Sequence, residues 1–249
     1  EEKLKYDDFG VLIRANTQSR FIEEAFLENN IPYTMSGGTS FFERKEIKDV
    51  ISYLRVIANH DDDINLLRII NTPRRGIGRA SIQIMNDEAK ELGTTLWEAI
   101  QSLLKRPDSP AKDDLKDDLE DFTTLIESHR SKLLSGRVLA GKVSQLIEEI
   151  DYKGYLASEY TKSEKAVQFK MRNIEFLLNS MESWENDPDN FNPSLFTYLN
   201  RITLLSRDDM DDENDKGKVN LMTIHASKGL EFPVVFIAGA EEGLIPHAR

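Results

Sequence analysis

The sequence contains no cysteine among its 249 residues and only four histidines, His60, His129, His225 and His247. Without cysteine the chain can form neither disulfides nor thiolate metal sites, which fits a reducing compartment. The histidines are scattered and show none of the short spacings with which neighbouring side chains hold a metal. We therefore expect no metal site built from this chain.

Long apolar runs are absent as well, since no stretch of about 18 consecutive apolar residues occurs. The first ten residues, EEKLKYDDFG, match neither a secretory signal peptide nor a transit peptide. The sequence therefore predicts a soluble protein that carries no export signal of its own. An apolar content of 39% is ample for a core, and the length suffices for one large domain or two smaller ones.

Positive charge is scarce, with 32 Lys and Arg against 44 Asp and Glu and a formal net charge of −12. This balance argues against polyanion binding by the whole surface but leaves a local basic site open. Acidic residues concentrate at 108–121, 185–190 and 207–217, a pattern typical of solvated faces and loops. The basic residues Arg74, Arg75 and Arg79 cluster around a pair of glycines.

No complete phosphate-binding loop is present. The segment SGRVLAGKV (135–143) comes close to G-x-x-x-x-G-K-[ST], but Val143 stands where a Ser or Thr hydroxyl would hold Mg²⁺. Such a loop should also follow a buried strand, whereas the preceding residues 113–134 form a polar run that favours a helix. We interpret SGRVLAGKV as a turn between two helices.

Strand and helix patterns alternate at the start of the chain. FGVLIR (9–14) and IPYTM (31–35) are typical of short buried strands, and residues 19–30 between them show helical spacing. After a turn at SGG (36–38), another helix is predicted. Its apolar face comprises Ile47, Val50, Ile51, Leu54 and Ile57.

From about Thr72 onward, helical periodicity continues with almost no strand signal until VNLMTI (219–224) and PVVFIAG (233–239). Two helical stripes in this region, Val143 to Ile150 and Val167 to Met181, are typical of core packing. The interrupted pattern predicts an α/β domain with a helical insertion. We place its first part at 1–71, the inserted helical subdomain at 72–215 and its second part at 216–249.

Five segments carry a family resemblance. They are RANTQSR (14–20), SGGTSFFERKEIKD (36–49), NTPRRGIG (71–78), LMTIHASKGLEF (221–232) and EEGLIPH (241–247). In this order they resemble the second motor domain of the superfamily 1 DNA helicases of the UvrD, PcrA and Rep group, and SGGTSFF with DDDINLLRIINTPRRGIG looks most similar to Rep. The resemblance implies a partial RecA-like second motor domain (2A) with an inserted, mobile all-helical subdomain (2B). It also implies ATP-driven, 3′ to 5′ translocation and unwinding of DNA by the full protein, in DNA repair or replication in the bacterial cytoplasm, at the nucleoid.

The resemblance assigns three residues to the nucleotide. Arg14 matches the arginine that reaches the γ-phosphate, where a cation stabilises the charge that spreads over the phosphoryl oxygens. Gly229 and Glu231 match the motif glycine near the nucleotide and the carboxylate that contacts the ribose. The family usually has an adenine-stacking aromatic before the arginine, but Ile13 stands there. Without the resemblance, Arg14 would read as a strand-end arginine paired with a surface carboxylate.

The resemblance assigns four further residues to DNA. Thr223 and His225 match motif residues at the family's single-strand channel, and Phe42 and Arg44 lie in a motif near the same channel. An aromatic ring can stack on a base and a cation can meet a phosphate. Each has a purely structural alternative, since His225 could be a hydrogen-bonded core histidine and Phe42, with its neighbour Phe41, could belong to the core.

The segment TPRRGIGRAS is similar to the helix-hairpin-helix type of duplex contact made by the family's 2B subdomain. Gly76 and Gly78 allow backbone N–H groups to approach a phosphate at the start of the following helix, and Arg74, Arg75 and Arg79 supply charge. The alternative is a glycine turn with its arginines in solvent.

The resemblance also implies that ATP and Mg²⁺ bind in a cleft shared with a first motor domain, which would supply the metal site and most phosphate contacts. We expect the chain alone to be inactive as an ATPase. Expected partners are single-stranded DNA, single-strand to double-strand junctions, that first motor domain and accessory repair or replication proteins. Two alternatives remain: a non-catalytic DNA-binding or protein-docking module that swings on hinges near Thr72–Pro73 and Lys216–Gly217, or the helicase-like part of a nuclease or recombination complex.

Overall fold

The computed structural model describes residues 4–136, 138–206, 217–241 and 245. The acidic segment 207–216, which includes the predicted hinge residue Lys216, lies outside the described residues, as do most of EEGLIPH and His247. Within the described residues, the four strands are β1 (Phe9–Ile13), β2 (Tyr33–Ser36), β3 (Val219–Thr223) and β4 (Val234–Ile237). The ten helices are α1 (Ser19–Glu28), α2 (Lys45–Ala58), α3 (Asp63–Ile69), α4 (Arg79–Leu92), α5 (Leu96–Lys105), α6 (Asp113–Leu134), α7 (Leu139–Glu149), α8 (Tyr152–Glu159), α9 (Glu164–Glu185) and α10 (Leu195–Ser206).

The four strands form one parallel sheet in the order β2-β3-β1-β4. Because β3 lies between β2 and β1, the strands before and after the helical region build the same sheet. The central strands carry the most buried side chains, among them Val11 and Ile13 of β1 and Leu221 and Met222 of β3. This mixed α/β architecture confirms the predicted fold class, while the division into 2A and 2B stays a prediction.

The chain divides into two compact units. One comprises residues 1–44 and 200–249 and contains the sheet, and the other comprises residues 45–199 and is helical. The helical unit thus begins at Lys45, earlier than residue 72, where the sequence places the start of the insertion. The reason lies in α2, whose buried carboxylates Glu46 and Asp49 bond to side chains of α8 and α9. The domain boundaries at 71/72 and 215/216 stay predictions.

The helical unit is built around the apolar faces that the sequence pattern indicates. All five apolar positions predicted for α2 are buried, which confirms that face. The stripe on α9 is buried at Val167, Ile174 and Met181, and that on α7 at Val143 and Leu146, so both stripes are core.

Capping side chains fix the starts of several helices in the helical unit, among them α8, where the Asp151 side chain accepts from the Gly154 N–H. The side chains of Asp62, Thr95 and Ser163 accept hydrogen bonds from backbone N–H groups in the first turns of α3, α5 and α9. None of the helices in the described ranges is long and apolar enough to span a membrane.

Candidate nucleotide and DNA interface

Three of the predicted motif segments meet at the carboxyl edge of the sheet. Arg14 directly follows β1, Gly37 directly follows β2, and Thr223 is the last residue of β3. The strands are parallel, and Ile13 of β1 lies opposite Thr223 of β3. Loops at the carboxyl ends of parallel strands are where open α/β sheets place their ligand-binding groups.

Hydrogen bonds and close packing join these loops. The Asn16 side-chain amide donates to the Gly37 carbonyl oxygen over 2.9 Å, and the Ala226 N–H donates to Thr223 Oγ1 over 3.2 Å. Gly37 has a φ of +80°, and a Cβ there would lie 2.9 Å from the Cβ of Ala226, so the close approach requires glycine. Thr223 is half-buried and His225 is exposed on this turn, which removes the core alternative for His225.

The Arg14 guanidinium lies half-buried at this edge and makes no hydrogen bond or ion pair with any side chain or carbonyl that the structure describes. Its backbone is held firmly, because the N–H groups of Arg14 and Ala15 both donate to Gln18 Oε1, over 3.0 and 3.1 Å. The surface carboxylate that could explain a strand-end arginine is therefore not found among the described side chains. A guanidinium without a protein partner can meet two oxygens of an anion at once.

The other two nucleotide candidates lie on the loop before β4. Gly229 has a φ of +84° and open space around it, and Glu231 is exposed. β4 begins at Val234, which pairs with Phe9, whereas Arg14 follows the opposite end of β1. No contact joins Glu231 to Arg14 in the described part of the chain.

Two of the DNA candidates in the sheet-containing unit have their side chains inside the fold. Phe42 is only 9% exposed and packs edge-on against Phe41, with ring centroids 5.3 Å apart. The Arg44 side chain is 10% exposed and forms an ion pair with the buried Glu23 carboxylate. Phe42 is therefore part of the core and the Arg44 guanidinium faces a carboxylate of the chain, while the DNA roles of both residues stay predictions. Ile13, at the position of the stacking aromatic, is fully buried in β1 and cannot contact a base.

In the helical unit, Arg74 beside the glycine pair is exposed, with 77% of its side chain accessible. Its guanidinium nitrogen Nη2 donates to Glu159 Oε1 over 2.7 Å. This hydrogen bond raises the pKa of Arg74 and lowers the pKa of Glu159. Arg79, the first residue of α4, is exposed as well.

Arg75, in contrast, points into the helical unit. Its guanidinium nitrogen Nη1 lies 3.1 to 3.4 Å from the carbonyl oxygens of residues 69, 70 and 73, and its other terminal nitrogen, Nη2, donates to the Tyr53 hydroxyl. The guanidinium also lies over the rings of Tyr53 and Phe122, 5.8 and 5.5 Å from their centroids. The Tyr53 hydroxyl in turn donates to the Thr72 carbonyl. Arg75 thus fixes the shape of the turn that presents Arg74.

The two glycines of this turn differ. Gly76 has a φ of +78°, and a Cβ on it would lie 2.6 Å from Asp118 Oδ2 of α6. Gly78 is extended, has open space around it, and is the N-cap of α4. No side chain caps this helix start and its first turn contains no acidic residue, so backbone N–H groups of α4 remain available for an anion.

The first part of SGRVLAGKV, residues 135–138, lies between α6 and α7, as predicted for a connection between two helices, whereas residues 139–143 already belong to α7. The N–H of Leu139, the first residue of α7, donates to Glu185 Oε2 over 2.6 Å, so a carboxylate of the chain itself occupies the start of this helix. Lys142 donates to the Gly136 carbonyl over 3.3 Å. Arg137 lies outside the described residues. The described residues contain no cluster of three or more His, Asp or Glu side chains that could hold a metal ion.

Sequence comparison decides the family. The UvrD-like helicase C-terminal domain matches over residues 1–249. The ATP-dependent DNA helicase PcrA of Staphylococcus aureus strain Mu50 is 36% identical over 252 aligned residues, which cover 98% of this chain and 32% of that protein. PcrA of Staphylococcus epidermidis strain RP62A is 36% identical over 248 residues, with the same coverage. The chain belongs to the UvrD-like helicase C-terminal domain family.

As a member of this family, the chain spans about a third of the length of the curated relatives it matches. These relatives are PcrA helicases, within the predicted UvrD, PcrA and Rep group, and the predicted closer likeness to Rep stays a prediction. The structure shows which of the candidate side chains are accessible. Arg14, Thr223, His225 and Arg74 reach solvent or the open edge of the sheet, whereas Phe42, Arg44 and Arg75 are tied to the fold.

Three residues of this helicase domain that organise its motifs were not found from the sequence. Glu23 binds Arg44 and the Phe41 backbone, Asp118 packs on Gly76, and Phe232 lies against Gly10, where a Cβ would come within 2.6 Å of its ring. Gly10 inside a strand pattern was the one available signal, because a strand glycine often marks a close approach of another group. The carboxylates lie on helices among many other acidic residues and carry no distinguishing pattern.

Proposed function

We propose that this chain is the second motor domain, with its inserted helical subdomain, of an ATP-dependent DNA helicase that moves 3′ to 5′ along single-stranded DNA. The observation that carries the proposal is the Arg14 guanidinium at the carboxyl edge of the parallel sheet, without a protein partner among the described residues. An accessible cation held by a rigid turn at this edge is suited to a phosphate group.

On the nucleotide side, Arg14 would contact the γ-phosphate of ATP and stabilise the charge that develops on its oxygens during transfer. Gly229 and Glu231 would line the ribose, and their loop would have to approach the carboxyl edge when the cleft forms. Mg²⁺ and most phosphate contacts would come from a first motor domain. The chain by itself would then lack most of the catalytic groups, and we propose that it does not hydrolyse ATP alone.

On the single-strand side, Thr223 and His225 would face the DNA from the turn after β3, next to the glycine turn after β2. The proximity of these two turns supports the assignment, because both present backbone groups and small side chains at one edge. Phe42 and Arg44 would act from behind this surface, holding the segment that leads to it, since their side chains are engaged within the fold.

On the duplex side, Arg74, Arg79 and the uncapped start of α4 would contact phosphates at a junction between single-stranded and double-stranded DNA. Charge-assisted hydrogen bonds and free helix N–H groups both favour an anion there. Gly76 and Gly78 would bring the backbone close to the phosphate, and Arg75 would contribute by fixing the turn. Accessory repair or replication proteins in the bacterial cytoplasm, at the nucleoid, complete the proposed setting.

The test is DNA-stimulated ATP hydrolysis by the full-length protein that contains this chain, with Arg14→Ala and Arg14→Lys. Loss of an arginine that stabilises phosphoryl-transfer charge lowers kcat by roughly 10³-fold or more. We expect Arg14→Lys to recover little of this loss, because an ammonium cannot make the two parallel hydrogen bonds of a guanidinium. DNA affinity should not change.

The matched control is Arg172→Ala, which removes an exposed arginine from α9. Wild-type kcat in Arg14→Ala would overturn the role of Arg14. A wild-type protein that binds DNA without hydrolysing ATP would favour the alternative of a non-catalytic DNA-binding module.

A further inference from the structure

Glu23 of α1 is a buried carboxylate that the proposed mechanism does not use. Its side chain is 1% exposed, and among the described residues four donor groups surround it. Oε1 faces the Ser19 hydroxyl at 2.9 Å and the Arg44 guanidinium, while Oε2 faces the Tyr33 hydroxyl at 2.8 Å and the Phe41 N–H at 2.7 Å. Each oxygen therefore has two donor groups within hydrogen-bond distance, and the single Ser19 proton is shared between Glu23 Oε1 and the Asn16 carbonyl.

These donors come from separate parts of the sheet-containing unit. Ser19 begins α1, directly after the turn that carries Arg14, and its hydroxyl also lies 2.8 Å from the Asn16 carbonyl oxygen. Tyr33 is the first residue of β2, and Phe41 and Arg44 lie at the two ends of the segment that follows the glycine turn. One carboxylate thus connects the nucleotide-side turn to the DNA-side segment.

Burial makes this arrangement specific. An ionised carboxylate in the interior is tolerated only when its hydrogen bonds and a counter-charge are all in place, and removing a single partner is costly. Burial and the adjacent Glu23 carboxylate raise the pKa of the Tyr33 phenol, which keeps that phenol a hydrogen-bond donor. The network therefore links donors of four residues through one carboxylate, and the loss of one donor affects the hydrogen bonds of the others.

We propose that Glu23 is a positioning residue that couples the Arg14 turn to the segment 41–44, so that nucleotide-driven movement of the turn reaches the DNA-facing edge. The inference rests on the proposed function. It predicts that weakening the network lowers the stimulation of ATP hydrolysis by DNA more than it lowers hydrolysis without DNA.

The experiment compares ATP hydrolysis by the full-length protein, with and without saturating single-stranded DNA, for Glu23→Gln and Ser19→Ala. The amide of Gln would turn a donor toward either the Arg44 guanidinium or the Phe41 N–H, whereas Ser19→Ala keeps the Glu23 carboxylate and removes the hydroxyl that contacts both Glu23 and the Asn16 carbonyl. For both variants we expect the ratio of stimulated to basal rate to fall by about fivefold or more, with the KM for ATP unchanged.

Ser52→Ala is the matched control, because Ser52 is a buried serine of α2 in the helical unit whose hydroxyl donates to Asn65. Thermal unfolding of each variant separates a loss of coupling from a loss of stability. If Glu23→Gln does not fold, Ser19→Ala still tests the proposal. If stimulated and basal rates of Ser19→Ala fall together in step with the melting temperature, or if neither changes, the coupling role is overturned. A wild-type protein whose hydrolysis is not stimulated by DNA would instead overturn the proposed function.

Discussion

Arg74 donates a hydrogen bond to the Glu159 carboxylate at the end of α8, with NH2 and Oε1 2.7 Å apart. The same carboxylate lies 4.0 Å from the Lys45 ammonium. An exposed ion pair of this kind contributes little stability, because water and salt screen it. Glu159 is therefore only weakly bound to Arg74, the arginine that we propose for contact with duplex DNA. A phosphate of the DNA can replace the Glu159 carboxylate as the partner of this guanidinium.

The first prediction follows from this competition. Replacing Glu159 by Gln is expected to tighten binding of a 3′-tailed duplex by roughly two- to fivefold at low salt. In this variant Arg74 does not have to give up a charged carboxylate partner before it binds the phosphate. Fluorescence anisotropy of the labelled duplex, titrated with the chain, measures the Kd. A blunt duplex should show the same gain, since the contact is to double-stranded DNA.

The control for this prediction is Glu175→Gln on α9, which makes the same change in net charge at an exposed position. An equal gain in affinity from both variants would assign the effect to overall charge and remove Glu159 from the argument. A gain in Glu159→Gln that persists when Arg74 is also replaced by Ala would do the same.

The second prediction separates two neighbouring arginines. Arg75→Ala removes a guanidinium that serves three carbonyl oxygens and the Tyr53 hydroxyl, and it should destabilise the helical unit by about 2–4 kcal/mol. Arg74→Ala should leave stability unchanged and weaken duplex binding. Urea unfolding followed by tryptophan fluorescence reports on this unit, because both tryptophans, Trp97 and Trp184, lie in it. Equal stability of the two variants would contradict the assigned roles.

Much of the fold could be predicted from the sequence, because it depends on local patterns. The strands at 9–14 and 219–224 are short apolar runs, and α2 has its apolar residues at helical spacing, so each element carries its own signal. The α/β pattern also resumes after the long helical region, which indicates that strands from before and after this region form one sheet. The start of the helical unit at Lys45 was not predictable, because it depends on where Glu46 and Asp49 find partners in α8 and α9.

The candidate site could be predicted only in part, because motif membership does not determine exposure. Arg14 and Arg44 both lie in motif segments. The Arg14 guanidinium has no partner among the described side chains, whereas Arg44 is paired with Glu23. That pairing joins residues from different elements, and the sequence pattern contains no trace of it. The same holds for Arg75, whose partner Tyr53 lies on a separate helix. Accessibility arises from tertiary contacts and needs the structure.

The third prediction concerns the glycine turn. Gly76→Ala should destabilise the helical unit by roughly 1 kcal/mol or more, because the position has a positive φ and because the new Cβ, 2.6 Å from Asp118 Oδ2, would force that carboxylate to shift. Gly93→Ala is the matched control, since Gly93 has a φ of +65° at the end of α4 and open space around it. In urea unfolding, the double variant Gly76→Ala/Asp118→Ala should lose only as much free energy of unfolding as Gly93→Ala does. A double variant as unstable as Gly76→Ala would show that Asp118 is not the obstacle.

The fourth prediction is a pH dependence that originates at His60, whose ring stacks on Trp97 with centroids 4.0 Å apart. Burial lowers the pKa of His60 and Arg130 adds to the effect, while Glu127 and Asp61 oppose it. Because the folded pKa lies below the unfolded value of about 6.5, the unfolded chain binds more protons as the pH falls, and stability is lost from about pH 7.5 toward about pH 5.5. His60→Phe keeps the stacked ring but cannot titrate, so its urea midpoint, followed by tryptophan fluorescence, should fall less over this range. Parallel pH profiles for the wild type and His60→Phe would exclude His60 as the source.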